Sequence, residues 1–409
     1  MSSLLLFSFV LGYFTLLLGV AMYTSRNATN ESFFIGNRNS NWMLVAFGMI
    51  GTSLSGVTFV SVPGTVGNIS PSGFNGFAYF QVIIGYIFGY LAIAYVLIPL
   101  YYKLNLTSIY HYLDQRFGKE SYKTGALFFI ISRTFGATAR LFLVINVLQI
   151  FILDKMNVPF VFTAALILLM ILLYTWKGGV KTIVYTDTLQ TSFMLIGLVI
   201  CLVYILSSLD LSIGQALGMM TEKGYTKIFE TDINSKAFFL KNILGGAVIA
   251  IAMTGLDQEM MQKNISVRTL KGAQLNMFSF SVVLVFINLL FLSLGVLLYT
   301  YSASHGTAIP LRTSDDLFPV IALEQLGVFS AVFFIIGLIS AAYPSADGAL
   351  TALTASFCLD ILGIKKRGWT EERQKKMRYT VHIGFAVLLL LVIVIFRMIN
   401  DDAVISKLF

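Results

Sequence analysis

The chain has 409 residues, 57% of them hydrophobic and only 12% charged. With repeated apolar runs of about 20 residues, that balance excludes a soluble globular domain and indicates a polytopic helical membrane protein. A formal charge of +8 would suggest a nucleic-acid partner in a soluble chain, but here the basic residues fall between apolar runs and act as topology signals, with no nucleic-acid motif beside them.

Ten membrane spans are predicted, over residues 4–23, 41–63, 75–102, 122–153, 158–175, 183–208, 237–262, 275–301, 327–361 and 376–398, forming one transmembrane domain across 1–409. The basic residues concentrate in the connections after spans one, three, five, seven and nine. Lys365, Lys366, Arg367, Arg373, Lys375, Lys376 and Arg378 dominate that side. This face is expected to be cytoplasmic, with the N-terminus outside. The first span lacks a basic leader and a small-residue cleavage site, so it reads as a retained helix and not a signal peptide.

The second span, WMLVAFGMIGTSLSGVTFVSVPG, is interrupted by Gly48, Gly51 and Gly56 with Ser53 and Ser55. In the fourth span, FFIISRTFGATARLFLV, Arg133 and Arg140 stand seven residues apart, close to one helical face. A guanidinium keeps its charge and its fork matches a carboxylate, so these arginines suit either an organic anion or a buried acid such as Asp187 or Asp347. The seventh span, NILGGAVIAIAMTGLDQEMMQ, is again glycine-interrupted. It lies five spans after the second, and such a pairing points to the binding site of an inverted-repeat transporter. The alternative reading of these glycines is close helix packing. PVIALEQLG, starting at Pro319, is predicted to form a short external helix over the site.

The ninth span runs through AAYPSADGALTALTASFCLD, residues 341–360. An ionisable group at bilayer depth costs at least about 2.5 kcal/mol, which makes Asp347 a candidate functional residue, the alternative being a structural hydrogen-bond network. Pro344 has no N–H, so the Ser340 carbonyl loses its helical partner and a kink is expected there. Cys201 and Cys358 lie within spans and give neither a disulfide framework nor a metal cluster. His111 and His382 lack partners at metal-ligand spacing, and no nucleotide-binding loop or Ser/His/Asp arrangement is found in a suitable context. An enzyme is therefore not expected.

FFIGNRNSNW before the second span, GTSLSGVTF within it, GGVKTIVYTDTLQ at the sixth, TGLDQEMMQK at the seventh and the 341–360 segment together resemble the sodium:solute symporter family. The resemblance spans essentially the whole chain in order. It implies a LeuT-type five-plus-five inverted repeat preceded by one extra helix, with 4–23 as that helix, 41–208 as the first repeat and 237–398 as a second repeat lacking its last helix. It also implies sodium-driven symport of a small organic solute by alternating access, with Na+ as the only metal and the inward fall of each charge supplying about 2.3 kcal/mol per 100 mV.

By the same resemblance, the common sodium site corresponds to the Gly51 and Leu54 carbonyls with Ala341, Pro344 and Ser345. Pro344 replaces one of the family's two adjacent hydroxyls, and a carbonyl freed near Ser340 or Ala341 is expected to compensate. Asp187 matches an aspartate facing a second sodium site in some members, and Asp347 with Gly348 falls where those members place a serine. The two carboxyls are expected to meet and to hold either a second Na+ or a shared proton. Ser53, Ser55, Thr58 and Gln81 match substrate-contacting positions, Met253 replaces a gating tyrosine of sugar-transporting relatives, and Arg133 or Arg140 would bind a carboxylate or zwitterion. Asp257 and Gln258 are expected to fix the cytoplasmic gate.

The expected partners are that solute and the lipid bilayer of the cell inner (plasma) membrane, with no obligatory protein partner. Two alternatives accompany this reading. One is a transporter-like sensor that binds without moving its ligand. The other is a fragment without full activity, because the chain ends at Phe409 where a fifth helix of the repeat would follow.

Overall fold

The computed structural model describes residues 3–26, 28–67, 69–70, 73–305 and 314–399. The segment after Ile399, with the question of a further helix, and part of the 302–326 connection lie outside the described residues.

The protein is all-helical apart from a two-residue antiparallel pairing of Ile69–Ser70 with Gly73–Phe74. Among the described residues, seven continuous helices are long and apolar enough to cross a membrane: Leu4–Thr24, Phe80–Lys103, Lys119–Met156, Val180–Ser208, Leu270–Ser304, Gly327–Ile361 and Glu371–Ile399. Two more spans are bent pairs, Trp42–Ser53 with Gly56–Thr65 at 60° and Phe239–Gly255 with Gln258–Ile265 at 65°. The shorter apolar helix Phe160–Thr175 matches the predicted fifth span, so every predicted span has its helix. The chain is a multi-pass membrane protein, and the numbering of spans follows chain order.

Both bends have local causes. Asn41 caps the start of the second span by accepting the Met43 N–H at 2.9 Å, and the helix stops at Leu54, whose φ of −84° and ψ of 74° leave the helical region. Carbonyls in the last turn of a helix lack intrahelical partners, so the break at Leu54 and Ser55 exposes backbone oxygens at depth. Such unwinding is tolerated only inside protein or along a cavity. In the seventh span, Asp257 restarts the helix after the bend by accepting the Met260 N–H at 3.0 Å.

Helices with no hydrophobic drive to associate in lipid pack through close backbone contact at small residues. The sixth and ninth spans cross where a Cβ on Gly197 would lie 2.7 Å from the Phe333 carbonyl oxygen and 3.2 Å from Gly337 Cα. The third and seventh cross at Gly85, where a Cβ would stand 2.9 Å from both Ala247 N and Gly246 Cα.

The ninth span is the centre of the molecule. Nearly every residue from Ser330 to Ser356 is buried, with the second, fourth, sixth and tenth spans packed around it. Its polar residues therefore face protein and not lipid. Pro344 lies inside a helix that continues on both sides.

The segment beginning at Leu317 is helical through Gln325, and Leu317, Phe318, Ile321 and Ala322 are buried. Phe318 packs on Phe59 and Phe334 at ring separations of 5.4 and 4.7 Å, and Phe59 also meets Phe291 at 5.6 Å. The short helix thus packs its Phe318 ring against the second and ninth spans.

Candidate functional site

The break in the second span faces the middle of the ninth. Ser345 Oγ donates to the Thr52 carbonyl at 3.4 Å, and the Pro344 ring lies 3.5 Å from the position a Cβ would take on Gly51. Thr191 of the sixth span accepts the Gly51 N–H at 3.1 Å, fixing the backbone just before the break. Gly51, Pro344 and Ser345 therefore come together, with Leu54 at the break itself and Ala341 one helical turn before Ser345. Backbone carbonyls and a serine hydroxyl are hard oxygen donors, the kind that suits a hard cation, so the residues present fit Na+. Pro344 brings an apolar ring against Gly51 and no side-chain oxygen.

Below this break lies a buried network of charge. Lys263 Nζ donates to Asp187 Oδ2 at 2.6 Å and to Thr52 Oγ1 at 2.7 Å, and Thr52 Oγ1 is 3.3 Å from the same carboxylate oxygen. Lys263 is also 3.8 Å from Glu259, four residues earlier on its own helix. Glu259 is ion-paired with Arg133, which in turn stands 3.6 Å from Asp257. All these residues are buried.

Asp187 and Asp347, expected to meet around one shared cation or proton, form no hydrogen bond with each other among the described residues. Each carboxyl has its own partner, because Lys263 reaches Asp187 while Tyr174 of the fifth span donates its hydroxyl to Asp347 Oδ2 at 2.6 Å. Among the described residues no arginine pairs with either aspartate, and Arg133 is taken by Glu259 and Asp257. Gly348 belongs to the Glu259 contact. A Cβ there would overlap the Glu259 carboxylate, whose Cδ and Cγ lie 2.7 and 3.0 Å away.

Asp347 has no basic residue within ion-pairing distance among the described residues, and its Oδ1 has no partner. Tyr343 and Thr351, four residues before and after it, also carry buried hydroxyls without partners, as do Asp187 Oδ1 and Gln190 Oε1 their oxygens. Spacing of four puts Tyr343, Asp347 and Thr351 on one helical face. The result is a row of buried oxygens with unmet capacity for a proton or a cation. No cluster of three or more His, Cys, Asp or Glu suited to a transition metal occurs among the described residues.

The two arginines of the fourth span part company. Arg133 is held by acids, whereas Arg140 has no ion pair among the described residues and lines a cavity of about 370 Å³ together with Met253, Tyr110 and Asp257. The cavity follows the fourth span from Gly125 to Arg140, about 22 Å at 1.5 Å per residue. Ser53 and Thr58 are half-buried and Ser55 is buried beside the break; the Tyr90 hydroxyl lies against Ser53 and Thr254. Gln81 is buried, its amide nitrogen donating to the Ala78 and Ala237 carbonyls at 2.9 and 3.3 Å, with Oε1 unpartnered.

Gln258 fastens the connection after the third span. Its Oε1 accepts the Ile109 N–H at 2.9 Å and its Nε2 donates to the Thr107 carbonyl at 3.2 Å. Asp360, at the end of the ninth span, accepts from Ser108, Tyr122 and Ser356 at 2.8, 2.8 and 2.7 Å. His382 is buried between Thr175 and Thr354, both at 2.9 Å, a packing role. Cys201 and Cys358 are free and buried.

The family model described as "SSF: Sodium:solute symporter family" matches residues 33–408. The chain belongs to the sodium:solute symporter family. It is 23% identical to the sodium/sialic acid symporter SiaT of Proteus mirabilis, covering 87% of this chain and 70% of that one. It is 21% identical to the sodium/sialic acid symporter NanT of Aliivibrio fischeri, covering 91% and 72%. A solved structure described as the substrate-bound outward-open state of a Na+-coupled sialic acid symporter superimposes with a TM-score of 0.84 at 21% identity, covering 97% of this chain and 83% of that chain. The fold is that LeuT-type arrangement, and the chain is a sodium-coupled symporter of a small organic solute, not an enzyme.

The residues that sequence reasoning passed over are Lys263, Glu259 and Tyr174. Lys263 reads as a loop cation just beyond the predicted end of the seventh span. Its one sequence signal is its four-residue spacing from Glu259 on a helix, a spacing that suits an ion pair.

Proposed function

We propose that the transported solute carries a carboxylate, as a simple acid or a zwitterion, and that Arg140 grips it. The observation that carries this reading is the contrast between the arginines: Arg133 is neutralised by Glu259 and Asp257, while Arg140 lines the cavity with no acid at ion-pairing distance among the described residues, Asp257 of that cavity being held by Arg133. A cavity-facing guanidinium without a counterion favours an anionic ligand. Met253 lines the same cavity, Ser53, Ser55, Thr58 and Gln81 lie outside that lining and are proposed to meet the solute nearer the break, and the sialic acid relatives agree with an acidic solute.

On this reading Gly51, Leu54, Ala341 and Ser345 hold the driving Na+, and the Pro344 ring leaves the Ser340 carbonyl available in place of the family's second hydroxyl. Asp187 is neutralised by Lys263, which leaves Asp347, with Gly348 making room for Glu259 beside it, as the carboxyl that takes up a second Na+ or a proton during the cycle. Residues 41–208 and 237–398 form the two repeats behind the extra helix 4–23. The matched bends of the second and seventh spans support that division. The basic connections support a plasma-membrane protein with its N-terminus outside, which puts the Asp257 and Gln258 contacts at the cytoplasmic gate.

Uptake of labelled carboxylates, amino acids and sugars by the full chain in proteoliposomes under an inward Na+ gradient tests the proposal. Arg140→Gln is expected to lower kcat/KM for the accepted carboxylate roughly ten- to a hundredfold, the worth of a charge-assisted hydrogen bond, while Na+-dependent thermal stabilisation persists. Preference for an uncharged sugar, or carboxylate uptake unchanged in Arg140→Gln, would overturn it. Unchanged transport and ion stoichiometry in Asp347→Asn would remove Asp347 from the coupling.

A further inference from the structure

A wide groove lies away from the transport site, between the first and sixth spans. It has a volume of about 1040 Å³ and is walled by apolar and small residues of the first helix, ending at Arg26, Lys181 and Tyr185. From Gly12 to Arg26 the lining helix rises about 20 Å. One leaflet of a bilayer is about 15 Å of hydrocarbon plus its headgroup layer, so the groove spans a single leaflet, from its middle outward.

The two ends differ in character. Toward the membrane centre, a Cβ on Gly12 or Gly19 would meet nothing within 4 Å. Nothing among the described residues packs on these glycines, although each weakens its helix relative to alanine; their effect is to keep the groove floor low. At the other end, Arg26 and Lys181 have no acidic partner among the described residues, and no carboxylate lines the groove. The Arg26 guanidinium rests over the Tyr23 ring at 5.7 Å. A hydrogen bond between Thr24 and Thr182 hydroxyls at 3.2 Å ties the two spans together beneath these cations.

We infer that this groove binds an anionic phospholipid, with an acyl chain laid along Gly12, Leu16 and Gly19 and the phosphate headgroup held between Arg26 and Lys181. Charge decides the occupant. A second copy packed here about a two-fold axis would bring its own Arg26 and Lys181 against this pair, setting four cations together without a counterion. A lipid phosphate neutralises them. The groove head also lies on the same side as the basic loop between the ninth and tenth spans, the side where anionic headgroups are expected. The sixth span so engaged carries Asp187 and Thr191, which touch the broken second span, so the lipid braces the helix behind the ion site.

Native mass spectrometry and thermal unfolding of the full chain in detergent, supplemented with phosphatidylglycerol or phosphatidylcholine of equal acyl length, test the inference. Phosphatidylglycerol should be retained and stabilising, and Arg26→Gln with Lys181→Gln should weaken its binding roughly 25-fold, about fivefold per cation. Gly19→Leu, which fills the groove and keeps both cations, should remove the retained lipid without lowering the lipid-free melting temperature. Neutralising Lys365, Lys366 and Arg367 should leave retention intact. Equal retention of both lipids, or retention unaffected by either groove variant, would overturn the inference. So would a dimer at detergent concentrations free of lipid that Gly19→Leu dissociates.

Discussion

Replacing Lys263 by methionine removes the one cation that touches Asp187 among the described residues. The ammonium lies 2.6 Å from Asp187 Oδ2 and 3.8 Å from Glu259 Oε1, and all three side chains are buried. At an effective dielectric of about 20, the closer pair alone attracts by roughly 6 kcal/mol. Desolvation of both charges cancels much of this in the intact pair, but removing one partner leaves the other buried and uncompensated, which typically costs about 3–5 kcal/mol. Glu259 keeps Arg133, so the loss falls mainly on Asp187. Thermal unfolding of detergent-solubilised protein should show Lys263→Met strongly destabilised. Asp187→Asn introduced into that background should restore part of the stability, with a coupling energy of about 1–3 kcal/mol for groups in direct contact. The single variant should also gain a steeper dependence of melting temperature on Na+, since a cation bound to the native state alone stabilises by about 2.7 kcal/mol at 100 times its Kd. Additive effects of the two substitutions, within about 0.5 kcal/mol, would refute the claim that Lys263 serves as the resident counterion of Asp187.

Three further outcomes are expected. Gly348→Ala forces a methyl group into the Glu259 carboxylate, which Arg133 holds from the other side; such overpacking should cost about 1–3 kcal/mol, read as a lower unfolding temperature. Asp360→Ala leaves the hydroxyls of Ser108, Tyr122 and Ser356 without their acceptor and should cost about 3 kcal/mol or more, with faster proteolysis of the connection around Ser108 as a second readout. Asp315 lies outside the spans, on the turn facing Gly64, and burial holds its carboxyl above the usual carboxylate range, with Ser61 opposing and Asp316 adding to the shift. A raised carboxyl favours the packed turn when protonated, so that stability is present at low pH and is lost as pH rises from the ordinary carboxylate value through the raised one. Asp315→Asn should flatten this dependence in melting curves recorded across that window, leaving the protein more stable than the parent at neutral pH.

Much of the architecture was legible because its signals are local. Gly48, Gly51, Gly56 and the serines between them announce the broken second span, and TGLDQ announces the break in the seventh. Asp347 stands out because a carboxyl in an apolar run has few reasons to be there. What the sequence left hidden is pairing across distance. Tyr174 and Asp347 are 173 residues apart, and Asp187 and Lys263 are 76 apart; a tyrosine near a span end and a lysine after a polar run carry no mark of their partners. The roles of the two arginines were equally unreadable, since seven-residue spacing gives both the same face. Glu259, offered to only one of them by the close passage at Gly348, decides which is free.

The same ninth helix thus serves two neighbours with different chemistry. Ser345 and the ring of Pro344 meet the oxygen-rich break of the second span, while Asp347 and Gly348, on the following positions, meet Tyr174 and Glu259. A rotation or tilt that withdrew Ser345 from the Thr52 carbonyl would also move Asp347 relative to Lys263 and the Glu259 carboxylate, because two and three residues of rigid helix separate them. Thr52 reinforces the link from the other side: its carbonyl accepts from Ser345 and its hydroxyl from Lys263. If the break holds the driving Na+ as proposed, its occupancy and the arrangement of charge behind it change together, which is the physical requirement for one ion gradient to set the state of the other site.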